Sequence, residues 1–156
     1  MAFSVLPESD LAWLSDFLLN LEPQRRDFLL DIFEREAPEF LEKIETSLPS
    51  LQDFFDWDPR LIQQIIRSVS FKNLAWVIYD RDSSLIELIG ENMSHRGRQI
   101  LIEDIQAVKN ERRRRLEEGK ITPQDLQRLI RKKKIITLLH AYNQQQRWLA
   151  EHGTKK

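Results

Sequence analysis

The stretch that decides the fold is residues 58–78, which read DPRLIQQIIRSVSFKNLAWVI. Asp58 followed by Pro59 is a strong helix start, because aspartate caps free backbone N–H groups and proline lacks the N–H that a first turn leaves unpaired. Apolar residues then recur at helical spacing, at positions 61, 62, 65 and 66. Ser70 is a second cap, and apolar residues follow it at the same spacing. The stretch therefore predicts two short helices, over about 59–68 and 71–79.

The same succession of caps and helically spaced apolar residues continues in both directions from this stretch. Trp13 and Phe17 are assigned to the inward face of a first helix, and Phe28 to that of a second. Gly119 is placed just after the end of a long helix, where glycine is favoured. No strand pattern competes, so the predicted fold class is all-α. The further predicted helices span about 9–20, 23–35, 38–47, 49–55, 84–92, 94–119 and 123–153.

Many short helices joined by tight turns predict an armadillo-like right-handed helical stack, with a globular bundle as the alternative. The last two helices are much longer than the others and predict a C-terminal long helical hairpin. We expect an armadillo-like helical domain at 1–108, in which 1–34 form a partial extra repeat. A basic helical extension or hairpin at 109–156 is expected to pack on this domain.

The formal net charge of −1 conceals a strong asymmetry along the chain. Residues 1–58 carry a net charge of −10, residues 59–108 carry 0 and residues 109–156 carry +9. Such asymmetry is typical of a polyanion-binding tail, or of two ends that attract each other or a partner. One hypothesis is therefore a homo-oligomer in which the acidic end of one copy meets the basic end of the next.

The chain lacks the residue patterns on which most catalytic and metal sites depend. It has no cysteine and three scattered histidines, and it contains no nucleophile elbow, phosphate-binding glycine loop or zinc motif. Residues 80–91 imitate a calcium loop, but Leu85 stands where the sharp turn needs glycine. The sequence thus predicts a non-enzymatic protein without cofactor or metal. No apolar run reaches the ~18 residues of a membrane span, and a cytoplasmic location is expected.

Two basic clusters lie in the C-terminal third of the chain. Four consecutive helical residues cover about 300° of the circumference, so neither cluster can turn all its charges to one groove. We interpret them as a solvated helical face or a contact for an acidic partner. The alternatives are nucleic-acid binding through residues 109–134 and attachment to an anionic membrane surface. The clustered residues are Arg112, Arg113, Arg114, Arg115, Arg131, Lys132, Lys133 and Lys134.

Residues 94–106 predict an amphipathic helix whose charged side is a candidate partner-binding surface. Arg96 and Glu103 are seven residues apart, so they share one face two turns apart. Asp104 lies one step further around the helix. The inward face is assigned to Ile100, Leu101, Ile102 and Ile105.

Residues 92–96, which read NMSHR, resemble the Asn-Met-Ser-(Lys/Gln)-Arg motif in the C-terminal domain of the flagellar motor switch protein FliG. Residues 58–63 are similar to its Asp-Asp-Arg-Ser-Ile-Gln segment, and residues 102–105 to its acidic pair at the end of the same helix. The similarity keeps one register over about residues 35–106 and resumes loosely at 119–126 after an insertion. The chain therefore resembles a shortened or divergent relative of that family.

The resemblance implies an armadillo-like scaffold in the rotor of the flagellar motor, at the inner face of the cell membrane. In that family a charged helix faces the stator protein MotA and transmits torque through ion pairs. Carried over by position, its charged residues fall on Arg96, Glu103 and Asp104. FliM-like rotor proteins are the other implied partners.

The chain also departs from the family's pattern. The family's lysine on an earlier helix is Tyr79 here, and its arginine in a Gly-Pro-Val-Arg turn falls near Thr122. Its Met-Phe-x-Phe hinge reads Leu-Pro-Ser-Leu at residues 48–51. A torque role and a hinge therefore do not follow from the resemblance alone.

Overall fold

The computed structural model describes residues 5–153, and no strand lies in this range. The fold is therefore all-α, as predicted, and the two long C-terminal helices are present. Eight of the nine sequence-predicted spans, all except 49–55, contain an α-helix with closely similar bounds. The elements are α1 (Glu8–Asn20), α2 (Pro23–Glu36), α3 (Pro38–Ser47), a 3-10 helix (Leu51–Asp56), α4 (Pro59–Ser68), α5 (Phe71–Ile78), α6 (Ser83–Glu91), α7 (His95–Glu117) and α8 (Pro123–His152).

The helix starts follow the predicted capping residues. The Asp58 carboxylate accepts a hydrogen bond from the backbone N–H of Arg60 at 2.8 Å and begins α4. The Ser70 and Ser94 hydroxyls accept from the third residue after them, at 3.2 and 3.0 Å, and begin α5 and α7. Each cap satisfies one N–H group that the first turn leaves without an intrahelical partner.

The segment after Pro49 differs from its prediction, because it forms the 3-10 helix Leu51–Asp56 instead of an α-helix. Leu51 and Phe54 are buried, and the rings of Phe54 and Trp57 stack with centroids 5.2 Å apart. A 3-10 helix has three residues per turn, so residues spaced by three lie on one side. This spacing of large side chains fits the tighter helix.

The described residues divide into two compact units, which we treat separately. The first comprises 5–51 and 138–153, and the second comprises 52–137. The sequence-based division at residue 108 stays a prediction.

The first unit is held by α1, α2, α3 and the C-terminal part of α8. The Ser15 hydroxyl donates to the Leu139 carbonyl at 3.5 Å, and the rings of Phe33 and Phe40 meet edge to face. Arg26 on α2 is buried, and its Nε has no hydrogen-bond partner among the described residues. The most deeply buried apolar side chains are Leu18, Leu30, Leu41, Ile44 and Leu139.

In the second unit, α7 packs against both α5 and α6. A Cβ added at Gly90 of α6 would lie only 3.1 Å from Arg98 Nε, so the Arg98 side chain passes closely over this glycine. The core is built almost entirely from aliphatic side chains, which need no polar partners. The most deeply buried are Ile62, Ile65, Ile78, Ile89, Leu101 and Ile135.

Three aromatic side chains assigned to inward faces are exposed instead, so those assignments were wrong. Trp13 is 66%, Phe17 42% and Phe28 64% exposed. The stripe that α1 buries consists of Leu11, Leu14, Ser15 and Leu18. Helix α1 carries more apolar residues than its buried stripe can hold, and Trp13 and Phe17, the aromatic pair of this helix, therefore lie on its exposed side.

Gly119 ends α7 as predicted. Its φ is +70°, in the left-handed region, and its N–H donates to the Leu116 carbonyl at 3.2 Å. The N–H of Lys120 donates to the Arg115 carbonyl at 3.0 Å. These two bonds are those of a Schellman motif, which satisfies carbonyls in the last turn.

Replacing Gly119 with alanine should lower the free energy of unfolding by about 1 kcal/mol, because a side chain with a Cβ is strained at this φ. Gly119→Asn is the matched control and should cost less, since asparagine tolerates the left-handed region. Urea unfolding followed by circular dichroism measures both variants. Equal stability of wild type and Gly119→Ala would contradict the assignment.

Candidate partner-binding surface on helix α7

Helix α7 buries one side and presents the opposite side to solvent. Leu101, Ile105 and Val108 form its buried stripe. Arg96 and Glu103 are exposed, and their seven-residue spacing places them about 10.5 Å apart along the axis on one face. Sequence and structure therefore agree that these two charges share a surface.

The same face continues toward the C-terminal end of α7. Asn110 and Glu117 are exposed and follow Glu103 at seven-residue intervals. A shallow groove along this part of the helix is lined by Ala107, Asn110, Glu111, Arg113, Arg114 and Glu117. The charged surface is therefore longer than the predicted segment 94–106.

Asp104 and Ile102 differ from the two exposed charges in their placement. Asp104 is half-buried, one helical step around from Glu103. Ile102, which was assigned to the inward face, is 53% exposed. The inward assignment was wrong because Leu101 and Ile105 already define the buried direction, and residue 102 points 100° away from residue 101. The charged surface thus has an apolar flank.

No ion pair or hydrogen bond within residues 5–153 engages the side chains of Arg96, Glu103 or Asp104. Their charges are not neutralised by close neighbours in the described chain. At physiological ionic strength, charges are screened over about 8 Å, so Arg96 and Glu103 also interact little with each other. Each is available to a partner charge.

The arginine cluster of α7 is engaged within its own unit. Arg113 Nη2 donates to Asn110 Oδ1 at 3.1 Å, and Arg114 Nη1 lies 3.6 Å from Glu118 Oε1. Arg115 pairs with Glu111 one turn earlier. The four arginines point in several directions, as their consecutive positions require.

Arg112, the remaining member, acts electrostatically on Tyr79, the residue that follows α5. Its Nε is buried without a hydrogen-bond partner among the described residues. Burial raises the pKa of Tyr79, and the positive charge of Arg112 partly opposes this rise. Tyr79 stands where the resembled family has a lysine, so Arg112 supplies a positive charge beside that position.

The second basic cluster lies on α8, where Arg131, Lys132, Lys133 and Lys134 are all half-buried. Lys133 Nζ donates to the side-chain oxygen of Asn73 on α5 at 2.9 Å. Binding of nucleic acid or of an acidic partner by either cluster stays a prediction.

The described part of the chain contains no grouping of three or more histidine, aspartate or glutamate side chains placed to hold a metal ion. Between residues 5 and 153, none of the helices combines the length and apolar character that crossing a bilayer requires.

Sequence reasoning missed one further surface, on α1. Trp13 and Phe17 are exposed there beside a cavity of about 290 Å³ lined by Leu6, Asp10, Trp13, Leu14 and Phe40. The sequence did carry a signal for this surface, because α1 contains more apolar residues than a single buried stripe can hold.

Comparison with known proteins gives consistent matches. Residues 31–120 match the family model described as FliG C-terminal domain. The flagellar motor switch protein FliG of Borreliella burgdorferi is 30% identical over 116 residues, covering 74% of this chain and 33% of that protein. FliG of Thermotoga maritima is 26% identical over 105 residues, covering 67% of this chain and 31% of that protein. The chain thus spans about a third of the length of these curated relatives.

Two solved structures are also similar. FliG residues 86–343 from H. pylori match at 18% identity and a TM-score of 0.43, covering 92% of this chain and 58% of that chain. Full-length FliG from Aquifex aeolicus matches at 17% identity and a TM-score of 0.46, covering 97% and 41%.

Proposed function

The chain belongs to the FliG C-terminal domain family, and we propose on this basis that it is a non-enzymatic protein–protein interaction module of the flagellar motor switch. Its proposed place is the cytoplasmic side of the flagellar basal body, at the inner face of the cell membrane. The proposed partners are FliM-like rotor proteins and the stator protein MotA.

The observation that carries this proposal is the exposed face of α7. Arg96 and Glu103 project from one side of a helix whose other side is anchored in the core by Leu101. A rigid helix with two separated, opposite charges fits a partner with the reverse pattern. Exposed ion pairs contribute roughly 0–1 kcal/mol each, which suits a contact that forms and breaks repeatedly. Charge matching also steers the encounter.

Reversing these charges tests the proposal in the flagellated organism that carries the chain. Arg96→Glu and Glu103→Lys should each reduce swimming speed at least about twofold, because each replaces an attraction by a repulsion of similar size. The number of filaments per cell should stay normal, since both side chains are exposed and their loss leaves the fold intact. Speed is measured by tracking single cells.

Lys109→Glu is the matched control, because Lys109 is an exposed cation of α7 on a different face. Its swimming speed should equal that of the wild type. Normal swimming of a strain lacking the chain would overturn the motor role. If the Arg96→Glu and Glu103→Lys strains swim normally while the deletion strain does not, the partner contact does not lie on α7.

A further inference from the structure

Helix α1 carries an exposed aromatic pair outside residues 31–120, the range of the family match. The rings of Trp13 and Phe17 are parallel, with centroids 5.4 Å apart and planes 2° apart. Since the core of the first unit uses Leu11, Leu14 and Leu18 of this helix, the fold does not depend on burying the aromatic pair. Exposed, preordered aromatic side chains are typical of binding surfaces.

The cavity beside Trp13 suits a single large side chain. Its volume of about 290 Å³ is at the lower limit for a small-molecule pocket. Its lining is mostly apolar, with Asp10 as the charged member. These dimensions favour an anchoring leucine or aromatic residue of a protein partner over a cofactor.

The charged side chains of helix α1, which carries the aromatic pair, are all acidic. Helix α1 contains Glu8, Asp10 and Asp16 and no basic residue. At 100° per residue, Asp10 lies about 60° to one side of Trp13 and Asp16 about 60° to the other. Neither of these two carboxylates forms an ion pair among the described residues. An apolar stripe bordered by two free carboxylates is complementary to a helix with an apolar face and basic edges.

We propose that Trp13, Phe17 and the adjoining cavity bind a basic amphipathic helix of a partner protein, whose apolar anchor packs on the aromatic pair while its lysine or arginine side chains meet Asp10 and Asp16. This surface shares no residue with the charged face of α7 and does not depend on the function proposed for that face. Apolar contact supplies most of the binding free energy, and the carboxylates supply orientation and selectivity.

The test uses the full chain and a fluorescent synthetic helix of leucine and lysine, about 18 residues long, which gives roughly five turns. Binding is measured by fluorescence anisotropy. The double variant Trp13→Gln/Phe17→Gln should weaken binding at least tenfold, and Asp10→Asn/Asp16→Asn should weaken it several-fold and reduce its salt dependence. Thermal melting by circular dichroism verifies that the variants are folded.

Two matched controls accompany the variants. Phe55→Gln removes an exposed aromatic residue from the other unit and should leave binding unchanged. A peptide with glutamate in place of every lysine should bind at least tenfold more weakly than the basic peptide.

Four outcomes would overturn the proposal. The first is equal binding of the basic peptide by the wild type and by Trp13→Gln/Phe17→Gln. The second is equal binding of the acidic and the basic peptide by the wild type. The third is self-association in sedimentation velocity that the double variant abolishes, which would make a second copy the occupant. The fourth is a Trp13-dependent blue shift of fluorescence with neutral phosphatidylcholine vesicles, which would make the occupant a lipid surface.

Discussion

Replacing Leu101 with alanine is expected to lower the free energy of unfolding by about 3 kcal/mol. Leu101 is 1% exposed and lies on the side of α7 that packs in the core of the second unit. Truncation removes buried methyl groups and leaves a cavity that the surrounding helices fill only partly, which costs about 2–5 kcal/mol at such positions. Urea unfolding followed by circular dichroism and by tryptophan fluorescence, to which the buried Trp76 contributes, measures the change.

Ile102→Ala is the matched control, since it shortens an aliphatic side chain at the next position of the same helix. Ile102 is exposed, so its truncation should change the free energy of unfolding by no more than about 0.5 kcal/mol. A larger loss at residue 102 than at residue 101 would mean that α7 turns a different side to the core.

Stability is expected to fall as the pH drops from about 6.5 toward 4, because of His140. Burial and, to a smaller extent, the positive charge of Arg26 together lower the pKa of His140 to about 4 in the folded protein. In the unfolded chain the pKa is 6.5. Between these two values the unfolded chain binds a proton that the folded protein does not, so protonation favours unfolding.

The stabilisation of the folded state by neutral His140 is therefore complete above pH 6.5, and it is lost as the pH falls from 6.5 to about 4. The full difference in pKa corresponds to about 3 kcal/mol, and partial exposure of the ring reduces this to about 2 kcal/mol. His140→Gln should remove that part of the pH dependence, whereas His152→Gln, at an exposed site, should leave it unchanged. Parallel pH profiles for wild type and His140→Gln, from urea unfolding between pH 4 and 7, would contradict the expectation.

The helix bounds could be predicted because the sequence marks them with local signals. Asp58, Ser70 and Ser94 cap helices through contacts within three residues, and Gly119 ends one through its own φ. Such interactions depend on neighbours in sequence, so they can be read without the fold. The shared face of Arg96 and Glu103 follows equally from helical periodicity.

The burial of individual side chains could not be predicted as well, because it depends on which helices pack together. Apolar spacing groups Trp13 and Phe17 with Leu14 and Leu18 on one side of α1, but only the neighbouring helices decide which apolar residues are covered. Likewise, the pairing of Lys133 with Asn73 joins residues 60 positions apart, which no local pattern signals. The 3-10 helix at Leu51–Asp56 was missed because a six-residue segment carries too few turns to distinguish three from 3.6 residues per turn.

The seven-residue spacing of the exposed residues on α7 has a geometric consequence for anything that binds there. Seven residues fall about 20° short of two full turns, so the line from Arg96 through Glu103 and Asn110 to Glu117 winds slowly left-handed around the helix. A straight partner helix follows this spiral only where the two axes cross at about 20°, and it diverges from the spiral beyond that point. A partner helix that slides along α7 would therefore contact one heptad after the next and would rotate slightly at each step.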